Sequence, residues 1–167
     1  MPEKETLENA REDMREGKSA STAAGEFVRE EMHHVREGKH GARNTKQAIA
    51  IGLSKARRAG VPLKPPGRGK ASSRTRAQAS RDVRRGKTGA RKKTSTRRSR
   101  AVSKALKREG RSAASRKNLS RQARTAARKR SATSRSASAR TAARTKGSTV
   151  RRKAAQKAAR TRMRKAA

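Results

Sequence analysis

The feature that most constrains the fold is a long basic stretch, Val61 to Ala167. It holds 38 Lys and Arg residues against two acids, Asp82 and Glu109, a net charge of +36 over 107 residues. Its apolar residues are mostly alanine, which buries little area. At about 25 cal/mol per Å² of apolar surface, that burial does not offset roughly 1–2 kcal/mol of backbone entropy per ordered residue. We therefore expect most of this stretch to be disordered, or helical without tertiary packing.

The first sixty residues differ in charge composition, because they are nearly balanced, with 12 Lys and Arg and 10 Asp and Glu. Glu3 to Glu16 consists of good helix formers and stops at Gly17. Four parts follow from composition: an acidic to neutral N-terminal helix and linker over 1–25, a helical hairpin over 26–60, a Pro/Gly linker over 61–70, and a basic tail of Ala, Ser, Thr, Arg and Lys over 71–167. Ser19 to Gly25 is rich in small residues and is predicted to be a linker.

Residues 26–60 form the one segment with enough large apolar side chains to pack. A first helix is predicted to stop at Gly38, and a second to start after Asn44, whose pairing with Gln47 resembles a capping box, and to end at Gly60. The expected core of this hairpin follows helical spacing and consists of Phe27, Val28, Met32, Val35, Ile49, Ile51, Leu53 and Ala56.

The predicted fold class is mostly α with extensive disorder and no strands: short N-terminal helices, the small hairpin, and separate nascent helices in the tail. Those nascent helices are placed at Ser99–Glu109, Ser112–Arg130 and Thr149–Lys165. Like charges four residues apart oppose each helix by a few tenths of a kcal/mol per pair. We expect a polyanion to remove the repulsion and complete the helices.

A charge asymmetry of this size indicates a polyanionic partner, and nucleic acid is the default. No zinc-finger spacing, basic-zipper heptad or helix-turn-helix core supports sequence readout. Phe27 is the single aromatic, so stacking on single strands is unsupported and double-stranded DNA is favoured. The residues expected to contact phosphate are Arg84, Arg85, Lys87, Arg91, Lys92, Lys93, Arg97, Arg98, Arg100, Lys104, Lys107, Arg108, Arg116, Arg121, Arg124, Arg128, Lys129, Arg130, Arg151, Arg152, Lys153, Lys157, Arg160, Arg162, Arg164 and Lys165.

No catalytic, cofactor or metal site is expected. The histidines His33, His34 and His40 are interpreted as exposed residues beside a turn, since no cysteine and no HExxH spacing accompanies them. A pocket-forming core that would orient catalytic groups is also missing from the pattern, so the chain is not predicted to be an enzyme. No apolar run approaches a membrane span, although cationic helices binding anionic lipid remain a rival interpretation.

Phe27 to Gly60 resembles a small uncharacterised bacterial family. Its members carry an M-H-x-[FV]-[KR]-x-G turn followed by K-Q-A-I-A-I-[AG]-L-S-x-A-R-x-A-G. The turn is matched here from Met32 to Gly38 and the second motif from Lys46 to Gly60, with His34 at the variable position. The resemblance implies a bacterial origin and brings no catalytic or binding residue. The tail is similar in composition to histone-H1-like proteins.

The hypothesis from sequence is a nucleoid-associated protein of the bacterial cytoplasm that binds and compacts DNA without sequence preference. In this interpretation the hairpin mediates weak self-association or a partner contact. The alternatives are an RNA- or ribosome-associated structural protein, and a protein-interaction module with a tethering tail. Nuclease sensitivity distinguishes the first alternative, because a protein held by RNA is released by RNase alone.

Overall fold

The structure, a computed structural model, describes residues 2–89 and 95–166, with side chains omitted at 145, 146, 165 and 166. Seven α-helices and one 3-10 turn are seen in this part of the chain, and it contains no strand. The helices are α1 (Lys4–Arg15), α2 (Ala20–Glu37), α3 (Thr45–Arg58), α4 (Ser73–Thr88), α5 (Thr96–Arg108), α6 (Arg116–Arg128) and α7 (Ala132–Ala166), and the 3-10 turn is Ser112–Ala114.

The helical hairpin predicted from sequence is present as α2 packed on α3. Helix α2 ends at Gly38, whose φ of 78° is a left-handed cap that favours glycine. Asn44 caps α3, its Oδ1 accepting from the Gln47 amide at 2.9 Å, while Gln47 Oε1 accepts from the Arg43 amide at 2.9 Å. Where the two helices cross, Gly52 lets α3 approach closely: a Cβ there would lie 2.8 Å from the Val28 Cα.

The prediction of a linker from Ser19 to Gly25 is wrong. Helix α2 begins at Ala20, and the Ser19 hydroxyl caps it by accepting from the Thr22 amide at 3.2 Å. Ala23 and Ala24 are fully buried, and they pack with Ala10 of α1 in a first core cluster around Phe27. These small residues let α1 lie against α2, so the N-terminal helix is part of the folded body.

Four of the eight predicted core residues are buried, in two clusters, and the other four are half-buried. Phe27 and Ala56 belong to the first cluster, with Leu53 partly buried against it. Met32 and Val35 belong to the second, with Val28 and Ile49 packed against it. Ile51 is half-buried and belongs to neither cluster.

Extensive disorder in the basic stretch is not supported. Helices run through α4, α5, α6 and α7, beyond the three predicted pieces at 99–109, 112–130 and 149–165. Ala and charged straight-chain residues have high helix propensity, and here the propensity exceeds the like-charge repulsion. Gly147 interrupts α7 with φ 68° and ψ 168°, near the start predicted for the last piece.

Part of the basic stretch packs on the hairpin through small residues. A Cβ on Gly86 of α4 would overlap the Arg57 carbonyl oxygen, so only glycine permits this approach to α3. Ala113 and Ala114 are buried in the second core cluster, and Leu119 packs against it. Burial of such small side chains contributes little area each, and the packing therefore depends on close backbone approach.

Backbone hydrogen bonds tie the last turn of α5 and the segment after it to the hairpin turn. The Gly41 amide donates to the Leu106 carbonyl at 2.9 Å, and the Ala42 amide donates to the Gly110 carbonyl at 3.2 Å. A Cβ on Gly41 would overlap the Glu109 carbonyl oxygen. This turn is therefore the attachment point of residues 106–114.

The chain divides into two compact units, Met1–Gln122 and Ala123–Ala167. The first unit contains the hairpin, both core clusters and the packed part of the basic stretch. Residues 61–70 form no helix, and Val61 and Leu63 pack against the first cluster. The predicted boundary at 25 falls within α2, and those at 60 and 70 remain predictions. None of the described helices is both long and apolar enough to cross a membrane.

Candidate nucleic-acid interface

Every predicted phosphate-contact side chain that the structure describes is exposed. Three of the predicted residues, Arg91, Lys92 and Lys93, lie outside the described residues, and the Lys165 side chain is not described. The exposed ones are Arg84, Arg85, Lys87, Arg97, Arg98, Arg100, Lys104, Lys107, Arg108, Arg116, Arg121, Arg124, Arg128, Lys129, Arg130, Arg151, Arg152, Lys153, Lys157, Arg160, Arg162 and Arg164. An exposed guanidinium or ammonium remains hydrated and can exchange its counterions for phosphate.

Helix α5 carries five of its six cations on one side. At 100° per residue, five cations fall within an arc of about 100°. The half-buried Leu106 lies roughly opposite the centre of that arc, facing the hairpin turn that its carbonyl contacts. The anchored side of α5 thus leaves the basic side outward. The cations of this arc are Arg97, Arg100, Lys104, Lys107 and Arg108.

Helix α7 carries 12 Lys and Arg residues and no acid. After Gly147, cations occur on several sides of the helix, and one row follows the spacing i, i+4, i+7, i+11. Positions so spaced lie about 5–6 Å apart on one face. This basic row of α7 consists of Lys153, Lys157, Arg160 and Arg164.

The acid Asp82 lies within the basic stretch, but it is buried and does not offset the positive charge that the stretch exposes. It is 2% exposed, and its Oδ2 accepts from the Ser54 hydroxyl at 2.7 Å while its Oδ1 accepts from the Gln78 side-chain Nε2 at 3.1 Å. Arg58 Nε lies 3.9 Å from Oδ1. Asp82 therefore joins α4 to α3. Sequence reasoning missed this role, although an acid inside such a basic stretch is itself a signal.

Arg57 is a cation that the packing removes from the surface. It is 8% exposed, and its Nε donates to the Leu63 carbonyl at 3.3 Å. Burial lowers the pKa of Arg57, and the charge of Asp82 acts in the opposite direction. Arg57 therefore stabilises the segment after α3 and takes no part in the exposed basic surface.

A cluster of buried charges joins α2 to α3 within the hairpin. Lys55 Nζ lies 3.2 Å from Glu30 Oε1 and 2.7 Å from Glu31 Oε2, and the two carboxylates are 2% and 0% exposed. Burial raises the pKa of Glu30, but hydrogen bonds from Thr6, Lys55 and the Glu3 amide outweigh it and hold the pKa below its usual value. Sequence analysis did not identify this cluster.

The interpretation of the histidines as exposed holds for His33 and is wrong for His34 and His40. The side chains of His34 and His40 are 12% and 19% exposed. His34 Nε2 lies 2.9 Å from Glu3 Oε1, and His40 Nε2 lies 3.2 Å from Glu31 Oε1. The missed signal is the pair Glu31-x-x-His34, because residues three apart share one face of a helix.

The described surface suits electrostatic binding of a polyanion, with a folded unit that fixes the basic side of α5 and a second unit rich in cations. A shallow apolar depression lined by Leu7, Met14, Phe27 and Val61 lies elsewhere on the first unit. Comparisons of this chain with protein-family models, with curated proteins and with solved structures yield no match.

Proposed function

We propose that this protein binds double-stranded DNA through its phosphates, without sequence preference, and compacts it. The observation that carries the proposal is the exposure of every predicted contact residue that the structure describes, in a stretch of net charge +36. Neutralising phosphates with Lys and Arg releases condensed counterions, which supplies affinity that does not depend on base sequence.

Arginine outnumbers lysine by 25 to 13 in this stretch. The guanidinium presents two parallel donors to phosphate oxygens, so an arginine-rich surface suits phosphate better than a lysine-rich one does. The single aromatic, Phe27, is buried in the first core cluster and is not available to stack on an unpaired base. These features support backbone binding and give no support to base readout.

The two units suggest how compaction would arise. The basic side of α5 and the basic row of α7 belong to different compact units of one chain. Two linked binding units can engage separate segments of duplex, and the second binding event then occurs at a raised effective concentration. The apolar side of the hairpin is covered within the chain by α1, α4 and residues 112–114, so the earlier hypothesis that the hairpin self-associates needs another surface.

The test is a gel-shift titration of the full chain on two unrelated duplexes of equal length, with structured RNA as competitor. We expect equal affinities for the two duplexes and bridging of long DNA seen by light scattering. A preference of tenfold or more for one duplex would contradict the proposal. Displacement by RNA at far lower concentration than by duplex would favour the RNA-associated alternative, which nothing in the described geometry favours.

A further inference from the structure

The polar cluster at the end of α2 has the composition of a metal site. Glu31, His34 and His40 each offer one ligand atom, and these three atoms all lie within 4.8 Å of one another. Two histidines and a glutamate form a ligand set found in zinc proteins, and it leaves at least one coordination position open. We propose that these three residues bind a divalent transition-metal ion of the zinc class.

Glu31 is the strongest single indication. Its side chain is 0% exposed, and neither of its carboxylate oxygens takes part in a hydrogen bond. A buried carboxylate without such bonds is costly, so native proteins supply a partner. Lys55 Nζ lies 2.7 Å from Oε2 as an ion-pair partner, while Oε1 faces the ring of His40 at 3.2 Å.

The contact between His40 and Glu31 has the geometry of two groups that share an ion. Tetrahedral zinc with bonds of about 2.0–2.1 Å separates its ligand atoms by roughly 3.3 Å, close to the observed 3.2 Å. Such an ion lies about 40° off the line joining the two atoms. A short distance without hydrogen-bond alignment is therefore expected for shared ligands and is what this pair shows.

Both histidines have the second partners that metal-binding imidazoles usually have. His40 Nδ1 lies 3.1 Å from the Gly41 carbonyl oxygen, and His34 Nε2 lies 2.9 Å from Glu3 Oε1. When Nδ1 of His40 donates to that carbonyl, the lone pair is on Nε2, the atom facing Glu31. Outer hydrogen bonds of this kind fix the tautomer and orient the ring toward the metal.

Lys55 is compatible with the ion because it contacts the other carboxylate oxygen. It also contacts Glu30 Oε1 at 3.2 Å, so its charge is balanced by a second buried carboxylate. In this arrangement Lys55 orients Glu31, and Oε1 remains for the metal. The ion would join α2 to the turn that carries Gly41, and so would strengthen the turn on which residues 106–114 dock.

The experiment uses the full chain, stripped with EDTA and dialysed into phosphate-free buffer. Zn²⁺ is titrated against a chromogenic zinc indicator, and Co²⁺ is added to a parallel sample whose visible spectrum reports tetrahedral coordination. We expect one ion per chain. His34→Gln and His40→Gln should each weaken Zn²⁺ binding about 100-fold, since even outer partners account for 10–100-fold. Circular dichroism of the metal-free variants checks that each is helical.

His33→Gln is the matched control, because His33 is exposed and neighbours His34 on the same helix. It should leave Zn²⁺ affinity unchanged. Glu3→Gln, which removes only an outer partner, should weaken binding about tenfold and keeps the test decisive if a ligand variant does not fold. No saturable binding below millimolar Zn²⁺, or equal losses in the His33 and His40 variants, would overturn the proposal.

Discussion

Residues 71–122 and 123–167 are both rich in Arg and Lys, yet they differ in how they relate to a core. The first segment supplies Ala79, Asp82, Ala113 and Ala114 to buried positions of the first unit. The second forms a compact unit of its own whose described side chains are almost all exposed. A few small residues and one buried acid therefore decide whether a basic helix becomes part of a folded body.

The first segment therefore contributes both to packing and to the basic surface, whereas the second contributes mainly exposed charge. In residues 71–122 each helix has an anchored side and a basic side, as α5 shows with Leu106 and its arc of cations. In α7 the cations after Gly147 are not confined to one side, and none of the helix's described side chains is buried. We expect substitutions on the anchored sides of the first segment to change stability, and those of exposed cations in the second to change affinity for DNA.

The largest effect is expected from neutralising the basic row of α7. Replacing Lys153, Lys157, Arg160 and Arg164 together by Gln should weaken duplex binding roughly 10²- to 10³-fold at 50 mM salt, because four phosphate contacts are lost. The urea midpoint of the first unit should stay the same. Fluorescence anisotropy with labelled duplex measures the affinity.

The matched control for that variant replaces four exposed cations of the balanced N-terminal region by Gln. An affinity loss as large as that of the α7 variant would show that net charge alone matters and would remove the distinction between the regions. The control positions are Lys4, Arg11, Arg15 and Lys18.

Next in size are substitutions at the two glycines where the basic stretch meets the hairpin. Gly41→Ala and Gly86→Ala should each lower the free energy of unfolding by about 2–3 kcal/mol, because the added Cβ overlaps a backbone carbonyl. Gly25→Ala is the control: it lies within α2 with no atom near its Cβ and should stabilise the helix by up to about 1 kcal/mol. Urea unfolding followed by circular dichroism measures all three, and unchanged midpoints for Gly41 and Gly86 variants would contradict the docking.

A smaller loss is expected at the buried acid. Asp82→Ala leaves the Ser54 hydroxyl and the Gln78 amide without an acceptor and should cost about 1–3 kcal/mol. Glu109→Ala, at a half-buried acid of the same stretch, should cost less than about 1 kcal/mol. Equal costs at the two acids would mean that Asp82 is not the anchor of α4.

The smallest predicted effect is a pH dependence from Glu30. Its pKa is below the usual 4.5, so its contribution to stability is complete above pH 4.5 and is lost as the pH falls through the lowered value. Glu30→Gln should therefore be less stable than the parent at pH 7, and the gap should close below pH 4.5. Thermal unfolding at a series of pH values measures the gap, and a gap that persists at low pH would contradict the assignment.

The hairpin was predictable because its signals are local. Gly38 ends α2 and Asn44 caps α3 through bonds to residues within four positions, and the spacing of Phe27 and Met32 marks the buried side. Packing of the basic stretch was not predictable from apolar content, because it uses Ala113, Ala114 and the backbone at Gly41, which count for little on any hydrophobic scale.

The exposed contact residues were predictable from charge alone, since an arginine with few apolar neighbours in sequence rarely finds a buried site. The buried polar cluster was not. Lys55 meets Glu31 from a different helix, and His40 reaches it from the turn, so only the crossing of α2 and α3 brings them together. The spacing of Glu31 and His34 places the two on one face of α2, a signal that was missed, and no sequence spacing indicates the third member.

The most direct measurement of the central claim is the salt dependence of duplex affinity for the full chain. With about 6–10 phosphates engaged, the slope of log K against log salt should lie near −5 to −9, and affinity should fall about 10³- to 10⁵-fold from 50 to 200 mM. The variant lacking the basic row of α7 should have a slope smaller in magnitude by about 3–4. An affinity that stays flat across this range would contradict phosphate binding as the function of this surface.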